Sequence, residues 1–230
     1  MGLFGTCRPD ISIICVFPDY PIEIGGGGAT GGSAGSDNDH PAGASGSEPT
    51  DRGGDLYLEL GHAGILLIKG GTGAATAKYY EYGRYSGKNP THQGNVRSYS
   101  VTTLILDDAG WPTSDSLHAT VKSITKTSGR NTRLHGNVDH LCGKDAYNKA
   151  VKFAETFKSD KSQHYNLVTN SCMMFSFKVN KAGGWAWFGP IPLWNSRPGG
   201  QLDSGAFSNN VTYDPKGDKF NENIWQISGW

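Results

Sequence analysis

Two short segments of the chain carry side chains suited to nucleophilic chemistry. His62 lies in Leu60–Ile68 (LGHAGILLI), and Cys172 lies in the later segment Tyr165–Phe175 (YNLVTNSCMMF). A cysteine thiolate attacks carbonyl carbons, and a neighbouring imidazole takes up the thiol proton. The two residues are far apart in the sequence, so only the tertiary fold can bring them together, as is usual for a catalytic cysteine and histidine.

Cys172 is predicted to lie in the first turn of a helix. Residues 172–182 have helical spacing, Thr169 or Asn170 is the candidate N-cap, and Gly183-Gly184 should end the helix. The positive end of the helix dipole favours a thiolate there, and the free backbone N–H groups suit an oxyanion. The alternative is that Cys172 is simply a small buried apolar residue.

His62 is predicted to open a central strand, because the residues that follow it are apolar on both faces. A hairpin centred on Gly71-Thr72 would place Glu81, on a strand over residues 77–85, opposite His62. A carboxylate at that point would hold the imidazole tautomer and stabilise the imidazolium. A slip of one residue would bring Tyr80 or Tyr82 there instead.

These motifs and their order resemble a known family. The segment GHAGI is predicted to begin a strand, YEYGR is predicted to lie on the next strand, and YNLVTNSC is predicted to lead into a helix. This arrangement resembles the circularly permuted NlpC/P60 branch of the papain-like superfamily and, within it, the TseH-like effectors of type VI secretion systems. The resemblance covers roughly residues 55–184. Relatives usually have His, Asn or Asp as the third polar residue, so Glu81 departs from the pattern.

The resemblance implies a function and a mechanism. The protein is expected to be a cysteine peptidase or amidase that cleaves amide bonds in peptidoglycan peptides. Cys172 would attack the carbonyl, His62 would act as base and then as acid, and Glu81 would orient His62. No metal or organic cofactor is expected. The expected partners are a peptidoglycan peptide, an immunity protein and a secretion-apparatus carrier.

Three alternatives remain open from the sequence. Permuted papain-like relatives include lipid acyltransferases and isopeptidases, and a non-catalytic wall-binding module would also fit. Cys142 is a rival nucleophile, because His135 and His140 are close to it in the sequence. Those same three residues are a weak candidate zinc site, since a fourth ligand and a recognised spacing are missing.

Composition and charge exclude some classes of partner. The chain has 230 residues and a net charge of zero, with 21 basic and 21 acidic residues. A nucleic-acid partner is not expected without a basic surface, and the apolar runs are too short for membrane insertion. The start of the sequence lacks the pattern of a secretory signal peptide. Together with this absence, the resemblance to type VI effectors implies synthesis in the cytoplasm, type VI secretion, and action in the periplasm of a target bacterium.

The element pattern predicts one α+β domain over residues 1–230, with helices packed on an antiparallel sheet. The first 24 residues should add a strand, which Pro18 and Pro21 restrict to a sheet edge or a strand end. Residues 25–54 are rich in Gly and Ser and should form a flexible loop. Residues 183–230 carry five of the six tryptophans and form a candidate substrate wall. Further strands are expected at 96–106 and 132–138, and helices at 114–127 and 145–158.

Overall fold

A computed structural model describes residues 9–24, 56–58, 61–83, 94–166, 169–184 and 210–223. The described part has an antiparallel sheet with helices packed on it, which confirms the predicted α+β class. The helices are α1 (Ser114–Thr127), α2 (Ala146–Ser159) and α3 (Cys172–Ala182). The strands are β1 (Asp10–Phe17), β2 (Ile22–Ile24), β3 (Leu56–Leu58), β4 (His62–Ile68), β5 (Gly73–Ala74), β6 (Ala77–Gly83), β7 (Asn95–Val101), β8 (Ile105–Leu106), β9 (Leu134–Leu141), β10 (Val211–Asp214) and β11 (Lys219–Glu222).

The main sheet has seven strands within the described residues, in the order β11-β10-β9-β1-β4-β6-β7. Strand β1 pairs with β4 on one side and with β9 on the other, so it is a central strand and not an edge strand. Its apolar side chains are buried on both faces, as a central position requires. Pro18 follows the last residue of β1, Phe17, so the proline ends the strand and does not interrupt its pairing.

The register between β4 and β6 differs from the predicted register by two residues. Glu81 lies opposite Gly64, not opposite His62. Residues 73 and 74 leave the connection to form β5, which pairs with β8, so the loop between β4 and β6 is longer than a two-residue turn. A shift of two residues keeps every side chain on the same face, because side chains alternate with a period of two. Glu81 therefore still faces the side of the sheet that His62 faces.

Each face of the sheet packs against different helices. The even-numbered residues Leu66 and Ile68 of β4 belong to the core that includes α1, and we call this side the α1 face. The odd-numbered residues Ile65 and Leu67 belong to the core formed with α2 and α3, which we call the α2–α3 face. Cys172 packs in this second core.

The helices agree closely with the sequence pattern, but α2 is capped in an unexpected way. Asp145 stands at its N-cap position with φ 60° and makes no capping hydrogen bond with its side chain. The cap comes from Asp10, at the start of β1. One Asp10 carboxylate oxygen accepts a hydrogen bond from Tyr147 N–H at 2.7 Å, and the other accepts from Gly70 N–H at 2.8 Å. One carboxylate thus joins β1, α2 and the loop after β4.

The expected segments at 25–54 and beyond Gly184 fall largely outside the described residues. This applies to the whole Gly/Ser-rich loop and to the five tryptophans of the C-terminal segment. The single-domain expectation for residues 1–230 likewise stays a prediction. Among the helices that are described, none combines the length and the hydropathy that crossing a bilayer would require.

We predict that Asp10→Ala destabilises the fold. The substitution removes the acceptors of two partly buried backbone N–H groups, one of which is at the N-terminus of α2, so the free energy of unfolding should fall by about 2–4 kcal/mol. Urea denaturation followed by circular dichroism measures this change. Asp160→Ala is the control, because among the described residues its exposed carboxylate accepts hydrogen bonds only within its own turn. Equal losses in the two variants would contradict the role of Asp10.

Candidate active site

Cys172 is the first residue of α3, as the helical spacing predicts. The N-cap differs from both candidates, because Ser171 fills that position and its hydroxyl accepts a hydrogen bond from Met174 N–H at 3.3 Å. The helix ends at Ala182 and Gly183 is its C-cap, in agreement with the predicted stop. The thiol therefore lies at the positive end of the α3 dipole, where an anion is stabilised.

His62 is the first residue of β4 and is 5% exposed. Its Nε2 atom lies 3.1 Å from an Oε atom of Glu81, which is 3% exposed. The bond is diagonal across the strand pair, since the direct partner of Glu81 is Gly64. This contact leaves the other ring nitrogen, Nδ1, for a second partner.

That second partner is Cys172, whose side chain is hydrogen-bonded to His62. The contact joins the two faces of the sheet. Glu81 approaches the ring from the α1 face, whereas Cys172 belongs to the core of the α2–α3 face. Because His62 is at the very end of its strand, its ring is reached from both sides. The backbone of Ala63 adds a further hydrogen bond to the Cys172 sulfur.

The electrostatics favour a thiolate–imidazolium pair. Burial alone would raise the pKa of Cys172, but the hydrogen bond and charge of His62, with further hydrogen bonds from Tyr165 and Ala63, lower that pKa below its usual value. Burial alone would lower the pKa of His62, but its hydrogen bonds and charge interactions with Cys172 and Glu81 raise that pKa to about 10. The charged form of each residue is thus stabilised by the other.

Tyr165 is a site residue that the sequence pattern did not single out. Its hydroxyl donates a hydrogen bond to the Cys172 sulfur at 3.8 Å, and its ring packs against Tyr82 with ring centroids 5.4 Å apart. Tyr165 is the first residue of the segment that leads to Cys172. Its closeness to Cys172 in the sequence is the signal that could have identified it. Cys172 itself is only 1% exposed.

The rival residues do not converge on one site. His135 pairs with Val16 and faces the α2–α3 side, whereas His140 pairs with Ile11, faces the α1 side and stacks on Trp111. Cys142 is exposed and follows the end of β9. Residues of one strand that are an odd number of positions apart point to opposite faces, so His135 and His140 cannot bind one zinc ion together. Within the described residues, the Cys142 thiol is directed at the backbone carbonyl of His140 and not at a histidine ring.

Comparison with known proteins gives a family and a fold. The family model described as "Type VI secretion system effector TseH-like" matches residues 12–183. The crystal structure of the type VI secretion system effector TseH is similar, with 28% sequence identity and a TM-score of 0.62, over 94% of this chain and 98% of that chain. No curated protein sequence matches the chain. The match spans the described elements from β1 to α3, and the chain belongs to the family of TseH-like type VI secretion system effectors.

Proposed function

We propose that the protein is a cysteine hydrolase that cleaves amide bonds in peptidoglycan peptides. The observation that carries this proposal is the hydrogen-bonded series Cys172, His62 and Glu81, in which the pKa of the thiol is lowered and the pKa of the imidazole is raised. A buried cysteine without such partners has a raised pKa, as Cys15 shows, where burial raises the pKa to about 12. The environment of Cys172 therefore differs from that of Cys15, the other buried cysteine among the described residues.

Each residue of the series has a defined role in the proposed reaction. The Cys172 thiolate attacks the carbonyl carbon of the amide, and a tetrahedral oxyanion forms. The His62 imidazolium then gives its proton to the leaving amine, the C–N bond breaks, and an acyl-enzyme remains. His62, now neutral, takes a proton from water, and the resulting attack releases the acid and restores the thiolate. Glu81 holds Nε2 throughout, so that Nδ1 stays directed at the sulfur.

Groups at the start of α3 support the oxyanion. The Met174 N–H is occupied by Ser171 and the Cys172 N–H is directed at the Tyr165 hydroxyl, whereas the Met173 N–H belongs to the first turn and has no acceptor within the helix. The Tyr165 hydroxyl, which already contacts the sulfur, lies next to the bond that forms. We propose that backbone N–H groups of the first turn of α3, together with the Tyr165 hydroxyl, act as the donors for the oxyanion.

The substrate class and the setting rest on two further arguments. The motifs around His62 and Cys172 resemble NlpC/P60 hydrolases of the cell wall, and the family is one of type VI effectors. An effector of this kind would act on peptidoglycan in the periplasm of a target bacterium, and the producing cell would need an immunity protein. The reaction as written uses side chains of this chain and water, and it requires no metal or cofactor.

We predict that Cys172→Ala abolishes the release of fragments from purified peptidoglycan, because the nucleophile is lost. Mass spectrometry of the digest also identifies the bond that is cleaved. Cys142→Ala is the matched control and should retain wild-type turnover, since Cys142 is exposed and remote from His62. Full activity of Cys172→Ala would refute the proposed site.

The pH profile of hydrolysis should be bell-shaped, because the reaction needs the thiolate and the imidazolium together. The rate should fall with decreasing pH at the lowered pKa of Cys172, and with increasing pH at the raised pKa of His62, about 10. Glu81→Gln removes a charge that raises the pKa of His62, so the alkaline limb should move down by about one pH unit.

Initial rates over a range of buffers test this profile. Glu155→Gln is the control, because Glu155 bonds to Tyr80 and Lys78 and not to His62. An unchanged alkaline limb in Glu81→Gln would remove Glu81 from the proposed mechanism and leave the pair of Cys172 and His62.

We predict that the protein is toxic to a Gram-negative cell only when a signal peptide directs it to the periplasm, where its substrate is exposed. His62→Ala and Cys172→Ala should each abolish the toxicity, because the two residues act as one unit. Growth curves and cell lysis measure the effect, with Cys142→Ala as an active control. Equal toxicity from the cytoplasm would favour a protein or lipid substrate, as in the isopeptidase or acyltransferase alternatives.

A further inference from the structure

Within the described part of the chain, the ring of His62 contacts the aromatic side chains of Tyr20 and Phe17, which the proposed reaction does not use. The Tyr20 ring lies 4.9 Å from the imidazole, centroid to centroid, with the planes tilted by 39°. The Phe17 ring lies 6.3 Å away and is nearly parallel, at 15°. Phe17 is the cross-strand partner of His62 at the end of β1, and Tyr20 follows in the turn after that strand.

The turn that carries Tyr20 is fixed by the segment between α1 and β9. Arg133 donates two hydrogen bonds to the Asp19 carboxylate, at 2.6 and 2.7 Å, in a bidentate arrangement. The Arg130 guanidinium lies 4.9 Å from the centroid of the Tyr20 ring. Arg133 is 56% exposed, and exposed ion pairs contribute little to stability. These contacts therefore fix the orientation of the turn that carries Tyr20 more than they stabilise the fold, because a bidentate pair allows one relative orientation of its two groups.

The same segment also supports Phe17. A Cβ atom placed on Gly129 would lie 2.4 Å from the Phe17 ring, so the ring packs directly on the glycine backbone. Arg130 and Asn131 follow with φ angles of 51° and 56°, a conformation that L-residues rarely adopt. This unusual turn brings Arg130 over Tyr20. One short segment thus holds both Phe17 and Tyr20 beside His62.

We propose that Tyr20 is a positioning residue that covers the His62 imidazolium and excludes water from its bonds to Glu81 and Cys172. An aromatic face attracts a cation within about 6 Å of its centroid, and the imidazolium lies within this range. Excluding water also strengthens the hydrogen bonds, because they then act in a medium of lower polarity. The inference rests on the proposed cysteine chemistry and adds a residue to that site.

The charge on His62 is set mainly by Glu81 and Cys172, and other titratable groups lie on neighbouring elements. Arg130, behind Tyr20, opposes a positive charge on the ring, whereas the Glu81 carboxylate and the Cys172 thiolate favour it. On the sheet side the titratable and charged groups are Cys15 of β1, Glu81 of β6 and Tyr99 of β7. On the turns and on α3 they are Asp19, Tyr20, Arg130, Arg133, Tyr165 and Cys172.

The reactivity of Cys172 towards iodoacetamide tests the inference without a substrate, because only the thiolate is alkylated. The rate is measured against pH by mass spectrometry of the Cys172 peptide, in a Cys7→Ser, Cys142→Ala background. Tyr20→Leu removes the ring, so the imidazolium should stabilise the thiolate less. The pH midpoint of alkylation should then rise by about one unit, which is about tenfold lower reactivity on the acid side.

Two variants serve as matched controls. Tyr20→Phe keeps the ring and should keep the wild-type midpoint. Phe220→Leu removes another ring that stacks on a histidine, His118, with centroids 4.9 Å apart, away from the site. It should also leave the midpoint unchanged. If circular dichroism shows that Tyr20→Leu does not fold, Tyr20→Met replaces it, since Tyr20 is only partly buried and a flexible side chain fits there.

The outcomes separate this inference from the proposed function. A low midpoint in the wild type together with the same midpoint in folded Tyr20→Leu or Tyr20→Met overturns the role of Tyr20 and leaves the proposed function intact. A shift in Tyr20→Phe as large as in Tyr20→Leu overturns the role of the ring. A wild-type midpoint near that of an ordinary thiol, about 8.5, overturns both, because no thiolate–imidazolium pair then exists.

Discussion

The hydrogen bond between Cys172 and His62 connects parts of the structure that are otherwise separated by the sheet. Cys172 belongs to the core that α2 and α3 form on one face, and Glu81, which holds the other side of the imidazole, lies on the opposite face. The three groups can meet only at the end of β4, where no further strand residue separates the faces. The site therefore depends on where β4 begins as much as on the identity of its residues.

The position of His62 depends in turn on the central strand. Strand β1 fixes β4 by pairing along its whole length, from Ile11 opposite Ile68 to Phe17 opposite His62. At the far end of β1, Asp10 bonds to the N-terminus of α2 and to the loop after β4. Both ends of β1 thus support the site. The end at Phe17 contacts the imidazole ring of His62, and the end at Asp10 holds α2, which packs beside α3.

The sequence predicts some of these features better than others, for physical reasons. Helical spacing places Cys172 in a first turn, but Thr169, Asn170 and Ser171 are all good N-caps, so the choice among them needs coordinates. The face of Glu81 follows from the period of two along a strand, whereas its register depends on a loop whose length the sequence does not reveal. Contacts made by loop residues such as Tyr20 have no periodic signal at all.

The order of the elements along the chain also has a consequence for biosynthesis. The pKa of the Cys172 thiol is lowered mainly by His62, and His62 is held in a sheet whose central strand comes from the start of the chain. Helix α3 leaves the ribosome long after β1, β4 and β6, so Cys172 is the last of these parts to be made. Closing such a long loop comes late in folding. A nascent chain therefore carries an ordinary, weakly reactive cysteine until the whole sheet has assembled around it.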